Sequence, residues 1–326
     1  MAPQQLTIWC NAKWPERAAK LLREGVGSHR LVFAAENRES VLDAGGHDRA
    51  MESADVAFGQ PDPTQLMSLS NIRWTHLTSA GYTRYDTDDM RAALSSRSAL
   101  MTNSSSVFDE PCAEHVMAMM YALARRLTES LDEQRGERRW LYLPIRSRAK
   151  LLVGQNELLV GFGAIARRLV ELLTPLRMNI VAVRRNPTGD EPVPTHATDD
   201  IDRLLPTADH VVNILPESPA TALFFNASRL ARLKPTAHFY NIGRGTTVDQ
   251  DALVAALVAK QFAAAYLDVF DPEPLPPEHA LWTTPNCFIT PHTGGGSEDE
   301  HDRLVQHFLE NLRRFEQGSV LRDQVI

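Results

Sequence analysis

Arg244, Glu273 and His292 each stand just beyond a short apolar run: Ala237 to Ile242, Ala264 to Leu267, and Asn286 to Thr290. A guanidinium can steady negative charge gathering on an oxygen, and an imidazolium can give that oxygen a proton. A carboxylate beside the imidazole favours its charged form. Taken singly, each residue has an ordinary reading: Arg244 can clamp a loop, Glu273 is one of several carboxylates in a proline-rich turn, and His292 is one of 11 histidines. Their shared placement says more. In an open parallel sheet the C-terminal ends of the strands converge on one crevice, so residues far apart in sequence can meet there.

The element that would open such a crevice is Leu158-Leu159-Val160-Gly161-Phe162-Gly163-Ala164-Ile165-Ala166, an apolar run that enters a glycine turn and leaves as a helix. Gly161 suits the tight strand-to-helix turn, Gly163 lets a pyrophosphate approach the backbone, and Ala166 sits where a small residue lets helix pack on strand. At the helix start, Ala164 and Ile165, free N–H groups and the positive dipole end would face the phosphates. Met178 to Val183 reads as the next strand and ends 22 residues after Gly161, the separation that one helix and two short loops require. At that tip an NAD site offers Asp or Glu to the ribose hydroxyls, whereas this chain offers Arg184-Arg185-Asn186. Two guanidinium groups could grip a 2′-phosphate, so NADP(H) is the expected cofactor, with NAD(H) the alternative. The plainer reading of both arginines is a pair of solvated loop residues.

Composition bounds the rest. The chain has 326 residues, 43% of them hydrophobic, enough for two domains with real cores. A net charge of -7 argues against nucleic acid or an acidic membrane as partner. No apolar run approaches the roughly 20 residues needed to span a bilayer, and Met1 to Cys10 lacks a signal-peptide pattern, which makes the cytoplasm the expected compartment. Cys10, Cys112 and Cys287 are odd in number and isolated, suggesting buried small apolar residues and neither disulfides nor a metal site.

In order along the chain, strands are expected at Leu6 to Cys10, Leu31 to Ala34, Val56 to Phe58, Trp74 to Thr78 and Ala99 to Asn103, with a helix after Pro15 that runs to Arg23 and another beginning at Ser40 to Leu42. Ser104 to Ser106 reads as a polar break. Pro111 then marks the first turn of a long, nearly all-apolar helix through Arg126, with Glu114 and His115 near its start and His115 read as structural. A helix apolar on nearly every side needs cover, as at a domain junction or subunit interface. Arg135 to Lys150 is basic with Trp140 to Leu143 interleaved, and is read as a solvated segment whose apolar side packs on a neighbour. After the glycine-loop unit come a loop from Pro187 to Pro194, a strand at Asp209 to Leu215, helices at Asn226 to Leu233 and Gln250 to Lys260, and an amphipathic helix at Asp299 to Gln317 returning to the first domain. Strands alternating with helices mean α/β architecture with parallel sheets.

The ordered set Ala113-Glu114-His115-Val116, the glycine loop, Leu215-Pro216 with Thr221, Asn241 to Gly245, Leu267 to Phe270 with Glu273-Pro274, and Thr290-Pro291-His292 resembles the D-isomer-specific 2-hydroxyacid dehydrogenase family, from about Thr75 to Gly296. The resemblance implies two Rossmann-like domains: a substrate-binding domain from both chain ends, residues 1–107 and 297–326, and an NADP(H)-binding domain, residues 108–296, usually in a homodimer. It implies that Arg244 binds the substrate carboxylate and polarises the carbonyl, that His292 is the acid/base, and that Glu273 pairs with it. Ala80 and Gly81 would hold the substrate carboxylate through backbone N–H groups. Cofactor contacts would come from Gly161, Gly163, Ala164, Ile165, Arg184, Arg185, Pro216, Thr221, Ile242, Gly243, Asp268 and Gly294, with Asp268 near the nicotinamide amide. Ala166 replaces a commoner glycine, Arg184 the usual Asp, and Gly294 a common alanine. The implied reaction is reduction of a small 2-oxo acid to the D-2-hydroxy acid, and the arginine pair and short length resemble the glyoxylate and hydroxypyruvate reductase branch. Two readings compete. A corepressor-like dinucleotide-binding protein on the same fold is disfavoured by the intact Arg, Glu and His set, and a formate-oxidising relative by Glu273, where that branch has glutamine.

Overall fold

The computed structural model of the chain describes residues 5–38 and 45–326; the helix expected from Ser40 to Leu42 lies outside them. The elements run β1 (Thr7–Ala12), α1 (Glu16–Gly25), β2 (Arg30–Arg38), β3 (Val56–Gly59), α2 (Pro63–Ser68), β4 (Trp74–Leu77), α3 (Asp88–Ser95), β5 (Leu100–Thr102), α4 (Ser105–Ala124), α5 (Leu127–Arg135) and α6 (Tyr142–Arg148). They continue as β6 (Asn156–Val160), α7 (Ala164–Leu173), β7 (Asn179–Arg184), β8 (Thr195–Ala197), α8 (Ile201–Leu204), β9 (His210–Asn213), α9 (Ala227–Leu230), β10 (His238–Asn241), α10 (Gln250–Val258), β11 (Ala264–Leu267), β12 (Cys287–Ile289) and α11 (Glu300–Glu316). Two compact units result, one of Met1–Phe108 with Ser297–Ile326 and one of Asp109–Gly296.

In the first unit the strands lie in the order β2-β1-β3-β4-β5, all parallel. The C-terminal helix completes its core. α11 buries Leu304, Val305, Phe308, Leu309 and Leu312, a single apolar stripe at helical spacing. The Phe308 ring stacks on Phe58 of β3 at 4.0 Å between centroids and on Trp74 of β4 at 5.3 Å.

The second unit has a parallel seven-stranded sheet ordered β12-β11-β10-β9-β6-β7-β8. Chain order runs outward from β6 on one side and from β9 on the other, so the direction of winding reverses between them, where doubly wound sheets bind ligands. The apolar run entering the glycine turn is β6, and α7 buries Ala166, Leu169, Val170 and Leu173 against the sheet. Ala166 has no exposed surface, as close helix-to-strand packing requires.

Two expectations need correction. The Ser104 to Ser106 break is the start of α4, and Pro111 lies inside that helix. Its first turn is satisfied from elsewhere: Ser105 N–H donates to Asn103 Oδ1 at 3.2 Å, and Ser106 N–H and Oγ donate to Asp323 Oδ2 at 2.8 and 2.7 Å. Acceptors at a helix N-terminus turn serines from breakers into a beginning. The second concerns Arg135 to Lys150, whose apolar side is not packed within its unit: Trp140 is 92% exposed and Tyr142 and Leu143 are open too. Of the cysteines, Cys10 is buried and the other two are half-buried.

One polar row crosses the core of the second sheet. Glu157, His210 and His238 stand side by side on β6, β9 and β10. His210 bonds Tyr240 Oη through Nδ1 at 2.9 Å and Gln155 Oε1 through Nε2 at 2.8 Å. Both Glu157 oxygens are buried with no hydrogen-bond partner among the described residues. Burial pushes this carboxyl up to about 8 and the His210 and His238 imidazoles down to about 3 and about 4, so the row is neutral at neutral pH. Because the folded Glu157 carboxyl titrates above its unfolded value, the stability it contributes is full below about pH 4.5 and is lost as pH rises through about 8. The expected outcome is that Glu157→Gln gains melting temperature over the unmutated protein, by several degrees, as pH is raised from about 5 to about 8. A difference independent of pH would show that the carboxyl is not held protonated.

Candidate active site

The loops that follow the strands of the second unit form the site from the backbone outward. After β6, Gly161 adopts φ +101° and its N–H donates to Val183 O at 2.9 Å. A Cβ at Gly161 would lie 2.9 Å from Ile214 O, so glycine is needed both for the conformation and for the approach of the segment that leaves β9. Gly163 caps α7 without any side-chain acceptor, and a Cβ there would meet nothing within 4 Å. The α7 N–H groups therefore face open space, the condition for holding an anion.

Beyond β9, Thr221 Oγ1 donates to Pro216 O at 2.6 Å and closes the Pro216 to Thr221 loop. Beyond β10, Gly243 lies so near this segment that a Cβ would be 2.5 Å from Leu215 O. Asn213 and Asn241, in register at the ends of β9 and β10, are joined by a 2.9 Å hydrogen bond, and Asn213 also donates to Thr247 Oγ1 at 2.7 Å. Asn241 Nδ2 and Thr247 Oγ1 both donate to Arg244 O, at 3.1 and 2.6 Å. This buried network fixes the Arg244 backbone, while its half-buried side chain turns Nη1 to Gly243 O at 2.6 Å. Sequence reading passed over Asn213 and Thr247; the signal was there in an amide closing an otherwise apolar strand, since a buried polar group must have partners.

Glu273 and His292 meet directly. Glu273 Oε2 is 2.7 Å from His292 Nδ1, and Oε1 accepts the Phe270 N–H at 2.8 Å. Burial raises the Glu273 carboxyl, but the His292 hydrogen bond, the Phe270 N–H and the charges of His292 and Arg244 outweigh it, leaving the group below its ordinary value and ionised. The influence of Arg244 on this carboxyl places all three residues in one electrostatic neighbourhood. With Nδ1 engaged by a carboxylate, Nε2 is the nitrogen left to meet a reacting group.

His292 itself sits at φ +53°, a left-handed backbone uncommon outside glycine. Asp268 holds it there. The Asp268 carbonyl accepts the His292 N–H at 2.8 Å, and its carboxylate accepts Thr290 Oγ1 at 2.5 Å and the N–H groups of Thr293 and Gly294 at 2.9 Å each. The carboxylate is thus committed to the loop that carries His292. The loop backbone runs close to this carboxylate, so that a Cβ at Gly294 would lie 2.7 Å from Asp268 Oδ2. The His115 ring lies tilted against Tyr266, 5.6 Å between centroids, with Nε2 3.5 Å from Thr290 Oγ1, a supporting position behind the same loop.

At the tip of β7, Arg184 and Arg185 differ. Arg184 is ion-paired with Glu191 at 3.0 Å, whereas Arg185 is exposed with no ion pair among the described residues. In the first unit, Ala80 and Gly81 follow β4. Ser79 Oγ donates to Gly81 O and Asn103 Nδ2 to Ala80 O, at 2.6 and 2.7 Å. Among the described residues neither Ala80 nor Gly81 spends its own N–H on a hydrogen bond.

The family profile described as "D-isomer specific 2-hydroxyacid dehydrogenase, NAD binding domain" matches residues 117–294, more than half of the chain. Glyoxylate/hydroxypyruvate reductase B of Citrobacter koseri is 31% identical over 289 residues, covering 86% of this chain and 86% of that protein. Among solved structures, the NADPH-dependent glyoxylate/hydroxypyruvate reductase SmGhrB of Sinorhizobium meliloti, in complex with NADP and malonate, superposes with a TM-score of 0.75 at 25% identity, covering 99% of this chain and 97% of that one. A D-isomer specific 2-hydroxyacid dehydrogenase from Xanthobacter autotrophicus Py2, in complex with NADPH and MES, gives 0.81 at 24% identity over 99% and 98%, a likeness of fold.

The Arg244 and Glu273 loops are locked together at Gly245, where a Cβ would fall 1.9 Å from the Phe270 carbonyl carbon. Gly245→Ala must push the two backbones apart, at a cost of about 1–3 kcal/mol typical of overpacking. Chemical denaturation should show that loss, and an unchanged midpoint would mean the loops separate freely.

Proposed function

The chain belongs to the D-isomer-specific 2-hydroxyacid dehydrogenase family, oxidoreductases that act on the CH–OH group of their donors with a nicotinamide dinucleotide, and from that premise we propose that it reduces a small 2-oxo acid of the glyoxylate or hydroxypyruvate kind to the D-2-hydroxy acid, with NADPH preferred to NADH. The observation that carries this reading is the 2.7 Å pairing of His292 Nδ1 with Glu273 in the neighbourhood of Arg244. The names of the reductase relatives support the substrate class, and the arginines at the tip of β7 support the cofactor preference.

The residues present suit a dinucleotide: an open glycine, a helix N-terminus with no side-chain cap and a crevice at the sheet's reversal point. Gly161, Gly163, Ala164 and Ile165 would hold its pyrophosphate, Arg184 and Arg185 its 2′-phosphate, and Pro216, Thr221, Ile242, Gly243, Asp268 and Gly294 the nicotinamide half. When bound, it supplies hydride to the substrate carbonyl carbon. Arg244 then stabilises the negative charge that grows on the carbonyl oxygen and draws in the substrate carboxylate. His292, through Nε2, delivers a proton to that oxygen. Glu273, paired with Nδ1, fixes the orientation of the imidazole that delivers the proton. For Ala80 and Gly81 we propose carboxylate binding through their free N–H groups. We also propose a homodimer, supported by exposed Leu127, Leu131, Trp140, Tyr142 and Leu143 on the α5 and α6 segments, an apolar surface of the kind that a subunit contact covers.

The test is loss of nicotinamide absorbance with NADPH and then NADH against glyoxylate, hydroxypyruvate, pyruvate and phenylpyruvate. Oxidation of NADPH by the first two, faster than of NADH, is the expected result; no oxidation by folded protein that binds the dinucleotide would favour an interaction protein on the same fold. His292→Ala should lose about a hundredfold or more in turnover, and near-normal turnover would remove it from the acid/base role. Light scattering of Trp140→Glu with Leu143→Glu should report a monomer, and an unchanged mass would place the dimer contact elsewhere.

A further inference from the structure

β7 ends at Arg184, and the next elements return the chain to pair β8 with β7, Arg184 opposite Ala197. The loop between is organised by one acid. Glu191 Oε1 accepts Arg184 Nη1 at 3.0 Å, Thr188 N–H at 2.9 Å and Thr188 Oγ1 at 2.8 Å, while Oε2 accepts the Gly189 N–H at 2.8 Å. Gly189 takes the left-handed conformation, φ +85°, that lets its N–H point inward. The Glu191 side chain is 2% exposed although Arg185, Asn186 and Pro187 beside it lie open. The Thr188 N–H foremost, with the Thr188 hydroxyl and Gly189 N–H, holds the carboxyl down at about 2, so it is ionised throughout the working range.

Besides Arg184, two backbone N–H groups answer the charge of Glu191, together with the Thr188 hydroxyl that Glu191 shares with Asp190, so the guanidinium is anchored through one nitrogen and is not consumed. It stays 29% exposed, and no other hydrogen bond of its head group exists among the described residues. A free arginine at a strand tip loses rotamer freedom when it meets an anion; one already tethered loses little.

We propose that Glu191 is a positioning residue for cofactor selection, tethering Arg184 beside the open Arg185 so that both guanidinium groups present to a phosphate on the adenosine ribose. The inference rests on the NADPH reading and adds a residue outside the arginine pair itself.

Direct calorimetric titration of NADP+ and of NAD+ into the unmutated protein, Glu191→Ala and Glu191→Gln tests it. Glu191→Ala should weaken NADP+ about tenfold, the scale of immobilising one long side chain, and leave NAD+ within about twofold. Glu191→Gln keeps an acceptor for Arg184 and should lose less, again for NADP+ alone; melting curves identify which variants are folded, and either one suffices. Equal weakening of both dinucleotides would reduce Glu191 to general loop support, and tighter NADP+ binding would make its carboxylate an opponent of the phosphate; each overturns the proposal. Unmutated protein that favours NADP+ while both variants keep the same preference overturns the role of Glu191 alone. Unmutated protein without that preference overturns the cofactor reading and this inference with it.

Discussion

The buried carboxylate of Asp268 is the constraint on which the active-site geometry depends. It receives a hydroxyl and two backbone N–H groups from the Thr290 to Gly294 loop, and its own carbonyl takes a fourth donor from His292. Four donors converging on one residue offset the cost of a left-handed histidine, which nothing local would sustain. The histidine so fixed reaches Glu273, and Glu273 in turn ties to the Phe270 N–H one loop away. Remove the clamp and the imidazole loses its backbone support before any contact of its own is broken.

The residues that face one another are held by a second kind of constraint, the close approach of backbones where no Cβ fits. Gly161 lies against Ile214, Gly243 against Leu215 and Gly245 against Phe270, so three successive crossings between strand ends are locked by glycine. The buried amides of Asn213 and Asn241 run across the same strand ends and hand their hydrogen bonds to the Arg244 loop. Electrostatics follow from this packing: Glu273 is half-buried yet ionised because its donors and cationic neighbours outweigh desolvation, whereas Glu157, buried in the same sheet without a donor, stays neutral.

Much of this was legible in the sequence because it is written locally. The β6 run, the glycine turn and the α7 stripe carry period and spacing within a few residues, and Arg244, Glu273 and His292 announce themselves by following strands. What escaped reading depends on distant partners. Ser104 to Ser106 look like a breaker until Asp323, from the other end of the chain, supplies an acceptor for the α4 N-terminus. Trp140 and Leu143 look like residues that pack, yet their unit offers them no cover. The resemblance puts Asp268 near the nicotinamide, and the fold adds that its carboxylate is engaged by the loop of His292. Pro187 to Pro194 read as an ordinary loop because a lone glutamate carries no sign of the backbone donors that will surround it.

The stacking of Phe308 between Phe58 and Trp74 carries a consequence for the order in which the molecule comes into being. The second unit is one unbroken stretch, Asp109–Gly296, and every strand of its sheet precedes α11 in the chain. The first unit is translated earlier but waits, its sheet bare of Phe308 and Leu312, until the last residues arrive. Synthesis from the N-terminus therefore leaves the older half of the protein unfinished until α11 follows, and the apolar face over β3 and β4 is the surface that a nascent chain must keep from other partners in the interval.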